Sequence, residues 1–240
     1  MIKAVMFDLD GTLLPTNDDE FTKFYFGLLF KKASGYGYEK DLFISTILKG
    51  VGAMRKNDGS KVNSELFWKT FASQYGQAEA EKMNPIFDEF YHIEFKQTKA
   101  ICGDNVWAKK IVETCKELGL KTILSTSPFF PKQGVISRLE FVDLMESDFD
   151  YITHYDNTTF SKPQVEFFDE ILKNMNLKPE EVLMFGNNER EDGVPTQMLG
   201  IKAFMVGDFV VSETDLDGQF EHLSFEEAIE KIKNLTKENV

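Results

Sequence analysis

Ile2-Lys3-Ala4-Val5-Met6-Phe7-Asp8-Leu9-Asp10-Gly11-Thr12-Leu13 is the stretch on which the fold turns. Five of the six residues Ile2 to Phe7 are apolar, with Ile and Val among them, and an Asp-x-Asp-Gly segment stops the run. This is the pattern of a fully buried strand that ends in a glycine-assisted loop. In an open α/β sheet the carboxyl ends of the strands are where loops converge and ligands bind, so Asp8 stands at a ligand-binding edge.

Two acids one residue apart, with Gly11 letting the backbone turn away sharply, can reach the same small site. Their spacing suggests a division of labour in which Asp8 is an ionised nucleophile and Asp10 lends and recovers a proton. Taken alone, the segment is equally a strand followed by a polar turn. A calcium loop is excluded, because Thr12, Leu13, Leu14 and Pro15 do not continue the required ligand steps.

Beyond Leu14 the texture is helical as far as Lys99. Phe21, Phe24, Tyr25, Leu28 and Leu29 recur at helical spacing in Asp18 to Ala33, and Asp41 to Met54, Ser64 to Tyr75 and Asn84 to Phe95 read as three more helices. A block of about 85 residues is the right size for a helical bundle with its own core. After Lys99, helices alternate with short apolar runs. Asn105 to Leu118 precedes a strand at Lys121 to Leu124, and Pro131 to Met145 precedes one at Tyr151 to His154. Gln164 to Met175 precedes a strand at Val182 to Phe185, Asp192 to Leu199 precedes one at Ile201 to Val206, and a helix at Phe225 to Leu235 closes the series. Joined to the first strand, this alternation is that of a parallel sheet with helices on both faces, a Rossmann-like α/β core. The expected division is a core of residues 1–16 and 99–240 with an inserted α-helical cap of residues 17–98.

The chain has 240 residues, 42% of them hydrophobic, enough for a substantial core. A formal charge of -13 disfavours nucleic acid and anionic membrane as partners. A small anionic substrate stays open, because a divalent cation among carboxylates reverses the local field. Cys102 and Cys115 are too few for a disulfide framework or a structural zinc site. No apolar run reaches the length of a membrane span, and Asp8 and Asp10 interrupt what would be a secretory leader; a soluble, cytoplasmic protein is the expectation, as a monomer or weak dimer.

Three more polar clusters follow predicted strands. Ser125 in Ser125-Thr126-Ser127 offers a hydroxyl to an anion, and Lys162 in Ser161-Lys162-Pro163 can project a positive charge into the site, with Pro163 at the first turn of a helix. Gly186-Asn187-Asn188-Glu189-Arg190-Glu191-Asp192 sets acids in a donor-rich loop, which suits a hard cation such as magnesium. The same acids would also serve as the charged start of a helix.

With all four clusters in view, the sequence resembles the haloacid dehalogenase superfamily, in its phosphatase branch. Asp8-Leu9-Asp10-Gly11-Thr12-Leu13 is similar to the first family motif, with Asp8 at the nucleophile and Asp10 at the general acid/base. Ser125 resembles the phosphate-binding residue of the second motif, with Thr126 where many members carry Asn. Lys162 matches the lysine of the third motif, and Asp192 the second acid of the fourth, whose first acid is here Asn187. Members that remove halide lack the second aspartate of the first motif, so Asp10 points to phosphoryl chemistry.

The resemblance implies an aspartyl-phosphate mechanism on a small phosphorylated metabolite. Magnesium would be held by Asp8, the main-chain carbonyl of Asp10, Asp192 and Asn187, the last directly or through water, with the phosphate on Ser125, Thr126 and Lys162. A sugar-phosphate mutase or phosphotransferase is the alternative within the enzyme class, for which Lys49 and Arg55 could hold a second phosphate. A binding or regulatory protein on the same fold is the alternative outside it. The insert, residues 17–98, is expected to rotate as one body over the strand ends.

Overall fold

A computed structural model describes residues 1–216 and 218–237. Six strands form one parallel sheet in the order β3-β2-β1-β4-β5-β6, where β1 is Ala4–Phe7, β2 Lys121–Leu124, β3 Tyr151–Ile152, β4 Val182–Gly186, β5 Lys202–Val206 and β6 Glu221–Leu223. Strand β1 lies at the centre, paired in register with β2 on one side (Phe7 opposite Leu124) and β4 on the other (Phe7 opposite Phe185). The order reverses between β1 and β4, the switch point at which loops of such sheets part and leave a crevice.

Alternation along the central strands divides two apolar layers. Val5, Phe7, Leu124, Leu183 and Phe185 face helices α5 (Val106–Glu117), α6 (Lys132–Glu140) and α9 (Phe225–Lys237). Ala4, Met6, Ile123, Val182 and Met184 face α7 (Val165–Met175) through Phe167, Phe168, Ile171 and Leu172. Burial on both faces is why these strands read as continuous apolar runs.

Between β1 and β2 lie α1 (Asp18–Ser34), α2 (Lys40–Arg55), α3 (Asn63–Tyr75), α4 (Gln77–His92) and a 3-10 segment, Glu94–Ile101. Their inward side chains, Phe43, Phe71, Phe87, Phe90 and Phe95 among them, make an aromatic cluster of their own. Phe130, from the loop after β2, enters that cluster, with its ring 5.4 Å from Tyr25 and 5.7 Å from Phe95. Buried Asn63 ties the helices to the core as well, donating to Thr158 Oγ1 (3.2 Å) and the Phe160 carbonyl (3.1 Å) while accepting from Asn57 (2.9 Å).

Several elements depart from the sequence expectation. Helix α4 starts at Gln77, seven residues before Asn84, and runs through Pro85. The segment Pro131 to Met145 holds only the nine-residue α6. Residues Glu189–Gly193 form a π-turn ahead of a short α8, Val194–Leu199, and α7 starts at Val165, two residues past Pro163. Strand β6 was not expected, because Glu221-His222-Leu223 is short, mostly polar and exposed at the sheet edge. Among the described residues no helix is long and apolar enough to cross a membrane.

Candidate active site

The carboxyl ends of β1 and β4, the loop after β2, Lys162 and the near edge of the helices enclose a cavity of about 270 Å³. Asp8, Asp10, Thr126, Lys162, Asn187 and Asp192 all line it, so six of the seven sequence-selected residues meet there. Asp8 directly follows β1, with its N–H on the Phe185 carbonyl (2.9 Å), which fixes its backbone to β4. Its Oδ1 accepts from Lys162 Nζ (2.6 Å) and its Oδ2 from Thr12 Oγ1 (3.2 Å).

Lys162 is the hinge of the charge arrangement. Its ammonium lies between Asp8 and Asp192 Oδ1 (2.5 Å), with the lysine side chain 2% and the Asp192 side chain 1% exposed. Burial alone would lower the lysine's pKa, but Asp192 and then Asp8 hold it above the ordinary lysine range. Burial pushes Asp192 up to about 6 against the pull of Lys162. Such a buried cluster costs desolvation that only its own pairing offsets.

The other oxygen of Asp192, Oδ2, accepts from the N–H groups of Asn187 (3.2 Å) and Asn188 (3.1 Å). That close approach needs a glycine at 186, where a Cβ would stand 2.2 Å from Asp192 Oδ2. Both Asp192 oxygens are therefore engaged by this chain. Asn187 Nδ2 donates to the Phe209 carbonyl (2.9 Å), and its Oδ1 receives only a long bond from Thr12 (3.4 Å). Gly11, at φ +79°, lets the first loop pass over that amide, since a Cβ there would lie 2.2 Å from Nδ2.

Asp10 sits at the cavity with its Oδ2 bonded to Arg138 and its Oδ1 buried without a partner. Burial raises its pKa, opposed by Arg138 and reinforced by the charge of Asp8. Arg138 was not selected from the sequence, where an arginine in an amphipathic helix reads as a solvated residue. The available signal was its phase: three residues after Val135 and one before Leu139, it falls among the buried positions of α6.

Ser125 requires a correction. Its hydroxyl turns back into the sheet, donating to the Phe7 carbonyl (3.2 Å) and lying 3.5 Å from Met184 Sδ, and it is absent from the cavity wall. Thr126 and Ser127, one and two residues further from the strand, line the cavity instead. Of the two basic residues suggested for a second phosphate, Arg55 lines the cavity, over the Phe129 ring (5.1 Å) and 3.8 Å from Glu191. Lys49 is exposed and does not line it.

The donors around the cavity suit a hard cation. No histidine or cysteine lines it, while Asp8, Asp10 and the Asn187 amide supply oxygens and Asp10 Oδ1 is unpartnered. Among the described residues no group of three or more His, Cys, Asp or Glu side chains closes on a metal position. Oxygen donors of this kind are those that magnesium takes.

A family model for haloacid dehalogenase-like hydrolases matches residues 2–193. The chain is 25% identical over 191 residues to a phosphorylated carbohydrates phosphatase of Thermotoga maritima, covering 78% of this chain and 77% of that one. It is 27% identical over 205 residues to the pyrophosphatase PpaX of Bacillus cereus, covering 85% and 83%. In fold it resembles the crystal structure of a HAD phosphatase from Thermococcus onnurineus, with a TM-score of 0.59 at 18% identity over 96% of this chain and 98% of that one.

Proposed function

Starting from the membership of this chain in the haloacid dehalogenase-like hydrolase family, we propose that it is a magnesium-dependent phosphomonoester hydrolase working through an aspartyl-phosphate on Asp8. The observation that carries the reading is the buried Asp8–Lys162–Asp192 cluster set beside Asp10 in one cavity at the switch point of the sheet. Relatives named for phosphorylated carbohydrates and for pyrophosphate share a small, anionic phosphorylated substrate. We extend that class to this chain.

In the first step an Asp8 oxygen forms a bond to phosphorus as the ester P–O bond breaks. The leaving oxygen keeps the electron pair and takes the proton of Asp10. In the second step Asp10, now ionised, takes a proton from water as the water oxygen attacks phosphorus, and the Asp8–phosphorus bond breaks to free phosphate. Lys162 places a fixed positive charge beside the nucleophile, and the hydroxyls of Thr126 and Ser127 donate to the phosphoryl oxygens. Asp192 positions Lys162 through Oδ1. Magnesium held by Asp8, the main-chain carbonyl of Asp10, Asp192 and Asn187 would supply charge neutralisation for the phosphoryl oxygens.

Residues 17–98 act in this reading as the cap that bounds the leaving-group side, through Phe21, Thr22 and Arg55. The test is phosphate release from a panel of phosphorylated metabolites across a magnesium titration. At least one substrate turned over with a requirement for magnesium is the expected result; no release from any member at any magnesium concentration overturns the reading.

A further inference from the structure

Arg138 is the largest of the fully buried side chains, 1% exposed. A guanidinium carries a permanent charge, so its burial is tolerable only where an anion meets it. Here that anion is Asp10 Oδ2, reached through Nη1. Two other contacts leave the guanidinium little freedom. Its Nε–H donates to the Gly134 carbonyl one turn back on α6 (3.2 Å), and its Cζ lies over the Phe130 ring, 4.4 Å from the centroid. Phe130 is itself set among the rings of Phe21, Tyr25, Tyr91 and Phe95.

The pair is not arranged for greatest stability. A carboxylate and a guanidinium can form two parallel bonds, which would satisfy both oxygens and both terminal nitrogens. Instead Arg138 Nη2 and Asp10 Oδ1 are both buried without a partner. The guanidinium thus grips one oxygen of a cavity-lining carboxylate and leaves the other uncommitted.

We propose that Arg138 is the positioning residue for Asp10, fixing the rotation of its carboxyl so that the free oxygen carries the proton to and from the reacting oxygen. The inference rests on the proposed role of Asp10 and adds to it the residue that aims it. Such aiming matters because a displacement of an ångström at a catalytic group costs orders of magnitude in rate.

Leaving-group basicity provides the test. p-Nitrophenolate departs without protonation, whereas the alkoxide of an alkyl phosphate needs a proton as it leaves. The magnesium-loaded wild type, Arg138→Lys and Arg138→Met are compared on p-nitrophenyl phosphate and on glycerol phosphate. For Arg138→Met, kcat/KM, which covers transfer to Asp8 but not the later hydrolysis common to both esters, is expected to fall by about 10² to 10³ on glycerol phosphate, within the range of a general acid, and by less than about tenfold on the aryl ester. Arg138→Lys keeps the buried charge and should show a smaller preference of the same sign. The ratio of the two rates does not depend on how much of each variant is folded. In an Asp10→Asn background, Arg138→Met should leave that ratio unchanged.

Equal losses of kcat/KM on both esters overturn the inference and leave the functional reading standing. So does a rise in KM with kcat kept, which would make Arg138 a contact of the substrate instead. A wild type that hydrolyses neither these esters nor any aryl or alkyl phosphate of the metabolite panel overturns the functional reading, and this inference with it.

Discussion

The two walls of the cavity are held by opposite means. On the sheet side Asp8, Lys162 and Asp192 interlock through charge-assisted bonds of 2.5 to 2.6 Å, buried where water cannot weaken them. On the helix side the buried links are neutral, the Phe130 ring among aromatic side chains and the amide of Asn63 bonded to Thr158 and Phe160, while the ion pairs Arg55–Glu191 and Lys96–Glu140 that also join the helices to the core lie toward solvent. The charged wall holds fixed dipoles where phosphoryl charge develops, and the neutral wall fixes the helices without adding charge to a chain already at -13. Damage to the first should therefore appear in turnover as well as in stability, and damage to the second in stability with turnover nearly kept.

Lys162→Met should produce the largest effect. It leaves two buried carboxylates facing each other without a cation, and we expect about 3 kcal/mol of stability lost at pH 8, the lower end for breaking a buried pair. Turnover should fall by about 10² to 10³, as for removal of one transition-state donor. The stability deficit should shrink toward pH 5, because Asp192, already raised to about 6 in the intact cluster, takes up a proton and the repulsion ends. Urea unfolding at both pH values checks this; a deficit equal at the two would break the electrostatic half of the comparison.

Asn63→Ala probes the neutral wall. Loss of its bonds leaves the Phe160 carbonyl without that donor and takes one bond each from Asn57 and Thr158, which keep Lys61 and His154, for about 2 kcal/mol in unfolding and less than about a threefold change in kcat. A kcat loss as large as that of Lys162→Met would show that the two walls are not separable. Rotation of residues 17–98 as one body, expected from the sequence, would have to break these same bonds and withdraw Phe130 from its rings.

Asn187→Asp should have the smallest effect. A carboxylate adds one negative charge beside Asp8 and should tighten magnesium by about 1 kcal/mol, several-fold in a titration. It also loses the amide bond to the Phe209 carbonyl, so a small decrease in stability should accompany the gain. An unchanged or weaker magnesium requirement would remove Asn187 from the ion's surroundings.

Asp8 was legible in the sequence because it directly follows an apolar run that must be a strand, and strand ends converge by topology alone. Lys162 and Asp192 lie ten and six residues past β3 and β4, so that rule brought their loops to the sheet edge and the resemblance to known motifs assigned the individual residues. Ser125 and Thr126 also follow such a run, yet which of them faces the cavity depends on a single step of backbone alternation that the sequence leaves open. Arg138 depends on the placement of α6 against the first loop, and Phe130 on the seating of four helices over the sheet. Those are tertiary contacts between distant segments, without a local signature. Strand β6 escaped for a different reason, since an exposed edge strand of three residues needs no apolar pattern.

The most direct test of the central claim is to mix the enzyme with magnesium and substrate, quench in acid within a turnover, and map phosphorylation by mass spectrometry. A phosphoryl group on the peptide carrying Asp8, absent from Asp8→Asn, which should also lose turnover while keeping its fold, is the result expected. Substrate turnover with no phosphorylated peptide at any quench time, or an Asp8→Asn protein that still hydrolyses at near the normal rate, would contradict the account.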